Sequence, residues 1–328
     1  MSASLPGEQA DDPVSAQPGS AFIETETIRL RYLLWQPNVL AIPNFHPLVS
    51  SIIEESYDDE PPIVLLHGLG ATADTWRLVA PHLSRHHQVI AFDLRGHGES
   101  DRPDHGYDLV TVAEDIVAGM AALGLGQVIL AGHGWGARVA LALAARHPAL
   151  ISHLVLVDCP LVEPRHWPGM TRQRFLRQDM STGRYASRQT FLQSMQAEMA
   201  AFWSLPVESI MLATVCTLPD GRVEARLAAT HQRQIREALW DDRALFYYGK
   251  VQCPALLVPA APPPRSELDM PERLERAEEF AAAKGYMAAQ VARAISRCTV
   301  LWMPDTAHDI QLQRPQRLAA AILSFVRR

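Results

Sequence analysis

The feature that most constrains this chain is an apolar run, a glycine-rich turn and a helical stretch in direct succession. Residues 128–130 are Val-Ile-Leu, which is typical of a buried strand, and residues 137–145 are rich in alanine and leucine, which favours a helix. Between them, residues 131–136 read Ala-Gly-His-Gly-Trp-Gly. A sharp turn from strand to helix needs small residues on both sides of its central position, and the motif supplies them. The side chain of the central residue would stand at the carboxyl end of the strand, but that residue is Gly134.

Further apolar runs alternate with helical stretches along most of the chain. They lie at 63–66, 89–93, 154–158, 255–258 and 299–303. Continuous apolar strands separated by helices predict βαβ units and an α/β fold, with a mainly parallel sheet and helices on both faces. Alternating apolar and polar residues over 21–35 predict an antiparallel hairpin ahead of it. Thr111 and Glu114 fit a capping box, which predicts a helix start there.

The pattern divides the chain into four segments. Residues 1–20 are rich in Ser, Pro, Gly and acidic residues, and we expect a disordered tail. Residues 21–159 and 250–328 form the two parts of the predicted α/β core. Residues 160–249 lack a Val/Ile-rich strand and contain helical stretches, so they predict an inserted helical cap. A proline-containing, partly acidic stretch at 37–60 favours a solvated loop.

Composition argues against several classes of function. The formal net charge is -6, which offers no electrostatic footprint for nucleic acid. The four cysteines are scattered without a C-x-x-C pair, which argues against a disulfide framework or a thiolate zinc site and favours the cytoplasm. No apolar signal segment precedes Arg29, the first basic residue. Residues 116–137 carry no Asp, Glu, Lys or Arg, but their six glycines and one histidine predict buried core rather than a membrane span.

Three motifs in order carry a family resemblance. They are His-Gly-Leu-Gly at 67–70, Asp-Leu-Arg-Gly-His-Gly-Glu-Ser at 93–100 and Gly-His-Gly-Trp-Gly at 132–136. With them the chain resembles the α/β-hydrolase superfamily over roughly residues 22–328. The third motif is similar to the nucleophile elbow of epoxide hydrolases and haloalkane dehalogenases, where the central nucleophile is Asp, and of serine esterases and proline iminopeptidases, where it is Ser. Gly134 takes the nucleophile position in this chain but has no side chain. The resemblance implies hydrolysis of an ester, amide, epoxide or carbon–halogen bond in a small apolar molecule, with no metal or organic cofactor.

The resemblance also implies roles for individual residues. An oxyanion hole would use the backbone amides of Trp135 and of Leu69 or a neighbour, which no side-chain change removes. His308 follows the last predicted strand and precedes the terminal helix, where the family places its base. His67 and His133 are expected at the pocket, although His67 also suits a structural role in its turn.

The acid partner of His308 stays open between three residues. In most family members it follows the seventh strand, but here that strand leads into prolines at 262–264. Glu267 or Asp269 comes soon enough after that strand to reach His308, but both also suit the first turn of a helix. Asp158 follows the sixth strand, where some relatives carry the acid, and a structural strand-end role is the interpretation that we favour for it.

Gly134 leaves three hypotheses about function. The chain is a natural pseudo-hydrolase that binds a ligand, or His308 activates water or removes a substrate proton without a covalent intermediate. The third is that an accidental or engineered change replaced Ser or Asp, since either codon is one base from glycine; the intact flanking motifs favour it. All three predict a small-molecule partner, with no nucleic acid and no membrane, and no covalent hydrolase activity in the chain as written.

Overall fold

A computed structural model describes residues 17–36, 60–159, 161, 163–167, 169–177, 183–262 and 271–327, without the side chains of 271–280. Most of the predicted tail, nearly all of the predicted loop at 37–60 and the candidate acids Glu267 and Asp269 lie outside these residues.

The strands of the described residues belong to three sheets. In chain order they are β1 (Gly19–Glu24), β2 (Arg29–Trp35), β3 (Ile63–Leu66), β4 (Val89–Phe92), β5 (Val128–His133), β6 (Ile151–Val157), β7 (Arg184–Tyr185), β8 (Val215–Thr217), β9 (Val223–Ala225), β10 (Ala255–Val258), β11 (Ala260–Ala261), β12 (Cys298–Val300) and β13 (Met303–Pro304).

The main sheet has eight strands in the order β1-β2-β4-β3-β5-β6-β10-β12. The hairpin of β1 and β2 is antiparallel, and β2 also pairs antiparallel with β4. All the remaining neighbours in this sheet are parallel. The predicted hairpin and mainly parallel sheet are therefore confirmed. Because the central strands run the same way, the loops that follow β3, β4, β5, β6 and β10 meet at one edge, where ligands of open α/β sheets bind.

The helices occupy the connections between strands. They are α1 (Ala80–Leu83), α2 (Leu109–Ala122), α3 (Trp135–Arg146), α4 (Arg172–Arg177), α5 (Arg188–Glu198), α6 (Leu205–Leu212), α7 (Ala229–Asp241), α8 (Ala244–Tyr248), α9 (Pro271–Ala294), α10 (Ile310–Gln313) and α11 (Pro315–Val326), with 3-10 turns at Ala73–Trp76, Pro148–Leu150 and Pro164–His166.

Both faces of the sheet are covered, as the continuous apolar strands predict. Val64 and Leu66 of β3 pack into a cluster with α2 and α3. Their neighbours Ile63 and Leu65 face the other way, into a cluster with α1, α10 and α11. Each such fully buried side chain contributes about 1.5–3 kcal/mol of hydrophobic free energy, so the sheet is a rigid platform for the loops at its carboxyl edge.

The region predicted as a helical cap also contains strands. β7, β9 and β8 form a small antiparallel sheet among α4 to α8. These strands are two or three residues long, too short to show the alternation that identifies a strand in sequence. A buried ion pair joins this region to the core, between Arg138 of α3 and Asp242 just after α7.

The predicted capping box at Thr111 is wrong. Helix α2 begins earlier, at Leu109, because the carboxylate of Asp108 accepts from the backbone N–H groups of Val110 and Thr111. Glu114 faces away from that helix start and contacts Arg146 and His147 instead.

No helix in the part of the chain that the structure describes is long and apolar enough to cross a membrane.

Candidate active site

The turn at Gly134 has the backbone conformation of a nucleophile elbow. It connects β5 directly to α3 with φ of 53° and ψ of −115° at Gly134, which few side chains tolerate. A Cβ atom at Gly132 would overlap the backbone at the start of α3, and one at Gly136 would overlap the backbone at the end of β3. Both flanking glycines are therefore needed for this close packing. The elbow is therefore fully formed around a residue that has no side chain.

His308 faces this turn from the loop between β13 and α10. A Cβ atom built on Gly134 would lie 3.1 Å from Nε2 of His308. On the other side of the ring, Nδ1 lies 2.7 Å from Oδ2 of Asp158. Because a carboxylate can only accept, Nδ1 carries the proton, and Nε2 of the neutral ring is left as an acceptor directed at the missing side chain.

Asp158 is the candidate acid that lies within the described residues, and it contacts His308. Asp158 follows β6 with a positive φ of 40°, which is rare for a residue with a side chain and is a form of strain that clusters at functional sites. Its Oδ1 accepts from the backbone N–H of Ala260 at 2.9 Å and from Nζ of Lys284 at 2.6 Å. The sequence favoured a structural strand-end role for Asp158, and it does join β6 to β11, but its second oxygen binds His308.

The electrostatics of this pair favour the ionised carboxylate of Asp158 and raise the pKa of His308. Burial raises the pKa of Asp158, but the hydrogen bond from His308 and the charge of Lys284 outweigh it and bring the value to about 2. Burial lowers the pKa of His308, and the hydrogen bond and charge of Asp158 outweigh it, so the net shift is upward. The side chain of His308 nevertheless stays 56% exposed, which leaves it open to solvent and ligand.

Two backbone amides are the ones predicted to form an oxyanion hole. Leu69 follows Gly68, whose Cα lies 3.8 Å from a Cβ atom built on Gly134, and Trp135 opens α3 directly after Gly134. The hydrogen bonds of the described residues leave the N–H groups of both without a protein acceptor. A backbone N–H group that has no acceptor in the protein is free to donate to a developing oxyanion.

His67 and His97 hold the Leu69 loop against the loop after β4. Nε2 of His67 accepts from the N–H of Leu94 at 3.0 Å, and Nε2 of His97 accepts from the N–H of Gly70 at 3.1 Å. Burial lowers the pKa of His67 to about 4 and that of His97 to about 3, so both rings stay neutral at pH 7. His67 is fully buried, which fits the structural role in its turn that the sequence also allowed, and its place at the pocket stays a prediction. The sequence showed His97 only as part of a motif.

His133 lies beside His308, with their ring centroids 4.5 Å apart, and its place at the pocket stays a prediction. Its ring is buried, and Nε2 donates to the backbone oxygen of His308 at 3.0 Å while Nδ1 accepts from Gln311 at 3.4 Å. Burial, followed by the nearby His308, lowers the pKa of His133 to about 4. The ring therefore supports the backbone that carries the base.

Cys159, the thiol next to Asp158, does not replace the nucleophile. Cys159 is buried next to Asp158, and burial raises the pKa of its thiol to about 12, so it is not a thiolate at neutral pH. In the described ranges no three His, Cys, Asp or Glu side chains are grouped as they would be to hold a metal ion. The structure thus places His308, which is bonded to Asp158, directly against the position of the missing side chain at Gly134.

Comparisons with known proteins agree with this architecture. The α/β hydrolase fold family matches residues 61–241. A 1-acylglycerol-3-phosphate O-acyltransferase from Sus scrofa is 33% identical over 129 residues, which are 38% of this chain and 37% of the relative. A soluble epoxide hydrolase from Corynebacterium sp. is 40% identical over 97 residues, which are 30% of this chain and 34% of the relative. The matches thus span about a third of the length of these curated relatives.

Among solved structures, an E-2-(acetamidomethylene)succinate hydrolase superposes with a TM-score of 0.72 over 95% of this chain and 100% of that one, at 20% identity. An esterase from Exiguobacterium antarcticum superposes with a TM-score of 0.65 over 94% of this chain and 100% of that one, at 18% identity. At these identities the likeness establishes the fold alone.

Proposed function

We propose that this chain, which belongs to the α/β-hydrolase fold family, hydrolyses small apolar esters by direct attack of water, without a covalent acyl-enzyme. One observation carries the proposal: Nε2 of His308 lies 3.1 Å from where the Cβ of a nucleophile would start, with Asp158 bonded behind it. Removing that side chain leaves room beside the base for water. The parent activity is then kept, at a reduced rate, by the base and the amides.

The proposed reaction needs no group outside the site. Nε2 of His308 takes a proton from water while the water oxygen bonds to the ester carbonyl carbon. The carbonyl oxygen becomes an oxyanion that accepts from the N–H groups of Leu69 and Trp135. The intermediate collapses with cleavage of the carbon–oxygen bond, and the imidazolium returns its proton to the leaving alcohol. Ester and water are consumed, and acid and alcohol are released.

The site suits acyl substrates better than epoxides or haloalkanes. Opening a carbon–halogen bond or an epoxide in this fold would call for a carboxylate nucleophile at position 134, and Gly134 supplies none. Amides stabilise an oxyanion wherever the nucleophile comes from, so they remain useful to an attacking water. The partial relatives do not decide between these reactions, because their names describe an acyltransferase and an epoxide hydrolase.

The second candidate is a ligand-binding protein without turnover. The specific observation in its favour is Gly134 itself, since losing a nucleophile from a hydrolase triad costs about 10⁶-fold in kcat. A ligand carbonyl would then occupy the oxyanion amides without reacting. This candidate predicts saturable binding and no hydrolysis that depends on His308.

The test compares the wild-type chain with His308→Ala and His166→Ala on p-nitrophenyl acetate and butyrate. His166 is a matched control because its side chain is 57% exposed, close to that of His308. We expect His308→Ala to remove the enzyme-dependent hydrolysis, since general-base catalysis contributes about 10²–10⁴-fold, and His166→Ala to keep it. We also expect linear product release without a burst, and no adduct with a fluorophosphonate.

Equal rates for the two variants would exclude hydrolysis through His308. A stoichiometric acyl or phosphonyl adduct on any residue would contradict direct attack by water. In the first case, saturable quenching of tryptophan fluorescence by uncleaved ester would favour the binding protein.

A further inference from the structure

Lys284 reaches the candidate site from the long helix α9, which precedes the edge strand β12. Its Nζ donates to Oδ1 of Asp158 at 2.6 Å and to the backbone oxygen of Ala260 at 2.7 Å. Only 16% of its side-chain area is exposed. Burying an ammonium group is costly unless its hydrogen bonds are satisfied. The two hydrogen bonds of Nζ therefore hold Lys284 in this position.

The contacts of Asp158 divide its two oxygens between two tasks. Oδ1 accepts from Lys284 and from the N–H of Ala260, whereas Oδ2 accepts from His308. Two donors fixed on one oxygen prevent the carboxylate from rotating, and the other oxygen is then held toward the histidine. We propose that Lys284 is a positioning residue that fixes the Asp158 carboxylate from behind and balances its charge against His308.

Lys284 belongs to a small set of charged groups around the base. Asp158 and Asp309 favour the imidazolium form of His308, while Lys284 opposes it. His133 beneath the ring is neutral. Lys284 is therefore a cation that offsets the two carboxylates, and its loss shifts the balance toward a protonated Nε2, which cannot accept a proton from water.

A purely structural role for Lys284 is the competing explanation, since its contacts also tie α9 to the ends of β6 and β11. The two explanations differ in what they predict for His308. A contact that only joins structural elements would affect the stability of the fold but not the pKa of the His308 ring, which Lys284 does not touch. The charge-balancing role predicts a change at His308 whenever the positive charge is removed.

The inference rests on the proposed function for its use in catalysis, but its test does not require any activity. The histidine Hε1 signals of the full chain are followed by NMR from pH 5 to 9, with the His308 signal assigned through His308→Ala. Lys284→Gln removes the charge and keeps a hydrogen-bond donor, Lys284→Met removes both, and Lys284→Arg keeps the charge. We expect the His308 titration midpoint to rise in the two neutral variants and to stay near the wild-type value in Lys284→Arg.

Hydrolysis of p-nitrophenyl acetate by the same variants gives a second readout. The rising limb of the rate against pH should move upward with the NMR midpoint, with little change in KM. A folded Lys284→Gln chain whose His308 titrates as in wild type, or at lower pH, would overturn the inference, and this holds even if Lys284→Met does not fold. If no variant hydrolyses ester while the midpoint still rises, the proposed function fails and the role of Lys284 stands.

Discussion

Replacing Gly134 with serine should restore covalent hydrolase chemistry. The new hydroxyl would start from a Cβ atom 3.1 Å from Nε2 of His308, within reach of a base that is already bonded to Asp158. His308 removes the serine proton, and the oxyanion of the tetrahedral intermediate accepts from the Leu69 and Trp135 amides. The matched control is Gly134→Ala, which adds the same Cβ without the hydroxyl.

The structure sets the cost of this change. A side chain at Gly134 must adopt φ of 53° and ψ of −115°, and such strain costs about 1–3 kcal/mol. The 3.1 Å approach of the new Cβ to Nε2 also requires the His308 ring to retreat by a few tenths of an ångström. Its exposed side gives it that freedom. We expect Gly134→Ser and Gly134→Ala to lose the same stability, with Tm lower by roughly 2 °C per kcal/mol.

The gain in hydrolysis rate from the serine hydroxyl should be large despite the loss of stability. Loss of a triad nucleophile costs about 10⁶-fold in kcat, so even imperfect geometry should make Gly134→Ser at least about 100-fold faster than Gly134→Ala on p-nitrophenyl acetate. The assay pairs steady-state rates with mass spectrometry after fluorophosphonate treatment, which should label position 134 only in the serine variant. A folded serine variant that is neither labelled nor faster than the alanine variant would show that the base and the elbow are not in catalytic register.

Two further predictions concern stability. The pKa values of His67, about 4, and His97, about 3, lie below the usual 6.5, so the unfolded chain binds protons first on acidification. The free energy of unfolding should therefore be near its full value above pH 6.5 and fall on acidification, down to about pH 4 for the part from His67 and about pH 3 for the part from His97. The loss should be about 2 kcal/mol per histidine at pH 5, and urea titrations that give equal values at pH 7 and pH 5 would contradict this. Arg138→Met should lower the free energy of unfolding by about 3–5 kcal/mol in the same assay at pH 7, because the nearly buried carboxylate of Asp242 then loses its cation. A loss below about 1 kcal/mol would refute that reasoning.

The sequence was most informative where local pattern and packing agree. Continuous apolar strands such as β3 and β5 predicted a sheet buried on both faces, and glycines around position 134 predicted the elbow, because no other residue fits those close approaches. The family match and the superposed structures confirm the α/β-hydrolase fold. The divisions into tail, core and cap, and the catalytic roles, remain predictions.

Sequence could not show contacts between distant residues. Asp158 and His308 are 150 positions apart, and the pairing of β6 with β10 and of β11 with β13 places the end of β6 beside the His308 loop. Lys284 carried no motif, since a single lysine in a helix gives no hint of the carboxylate that it binds. The buried position of His67 was equally hidden, because a histidine after a strand suits a pocket wall as well as a turn.

The acid assignment has a direct test in Asp158→Asn. Two donors, Nζ of Lys284 and the N–H of Ala260, point at Oδ1, so the oxygen of an asparagine amide must take that position. Its NH₂ group then faces Nδ1 of His308, which has to become an acceptor. The proton of the neutral ring moves to Nε2, and the ring can no longer take a proton from water or from a serine at position 134.

The same substitution removes the charge that raises the pKa of His308, so that pKa should fall while the activity is lost. In the Gly134→Ser background we expect a loss of about 10³–10⁴-fold in kcat, as for a triad forced into the wrong tautomer. Asp309→Asn is the charge-matched control. Asp309 also favours the imidazolium form of His308, but the hydrogen bond of Nδ1 is with Asp158. ¹⁵N shifts of His308 should report a proton on Nε2 in Asp158→Asn and on Nδ1 in Asp309→Asn. If Asp158→Asn loses no more activity than Asp309→Asn, or keeps the proton on Nδ1, then Asp158 is a strand-end residue and the acid lies elsewhere.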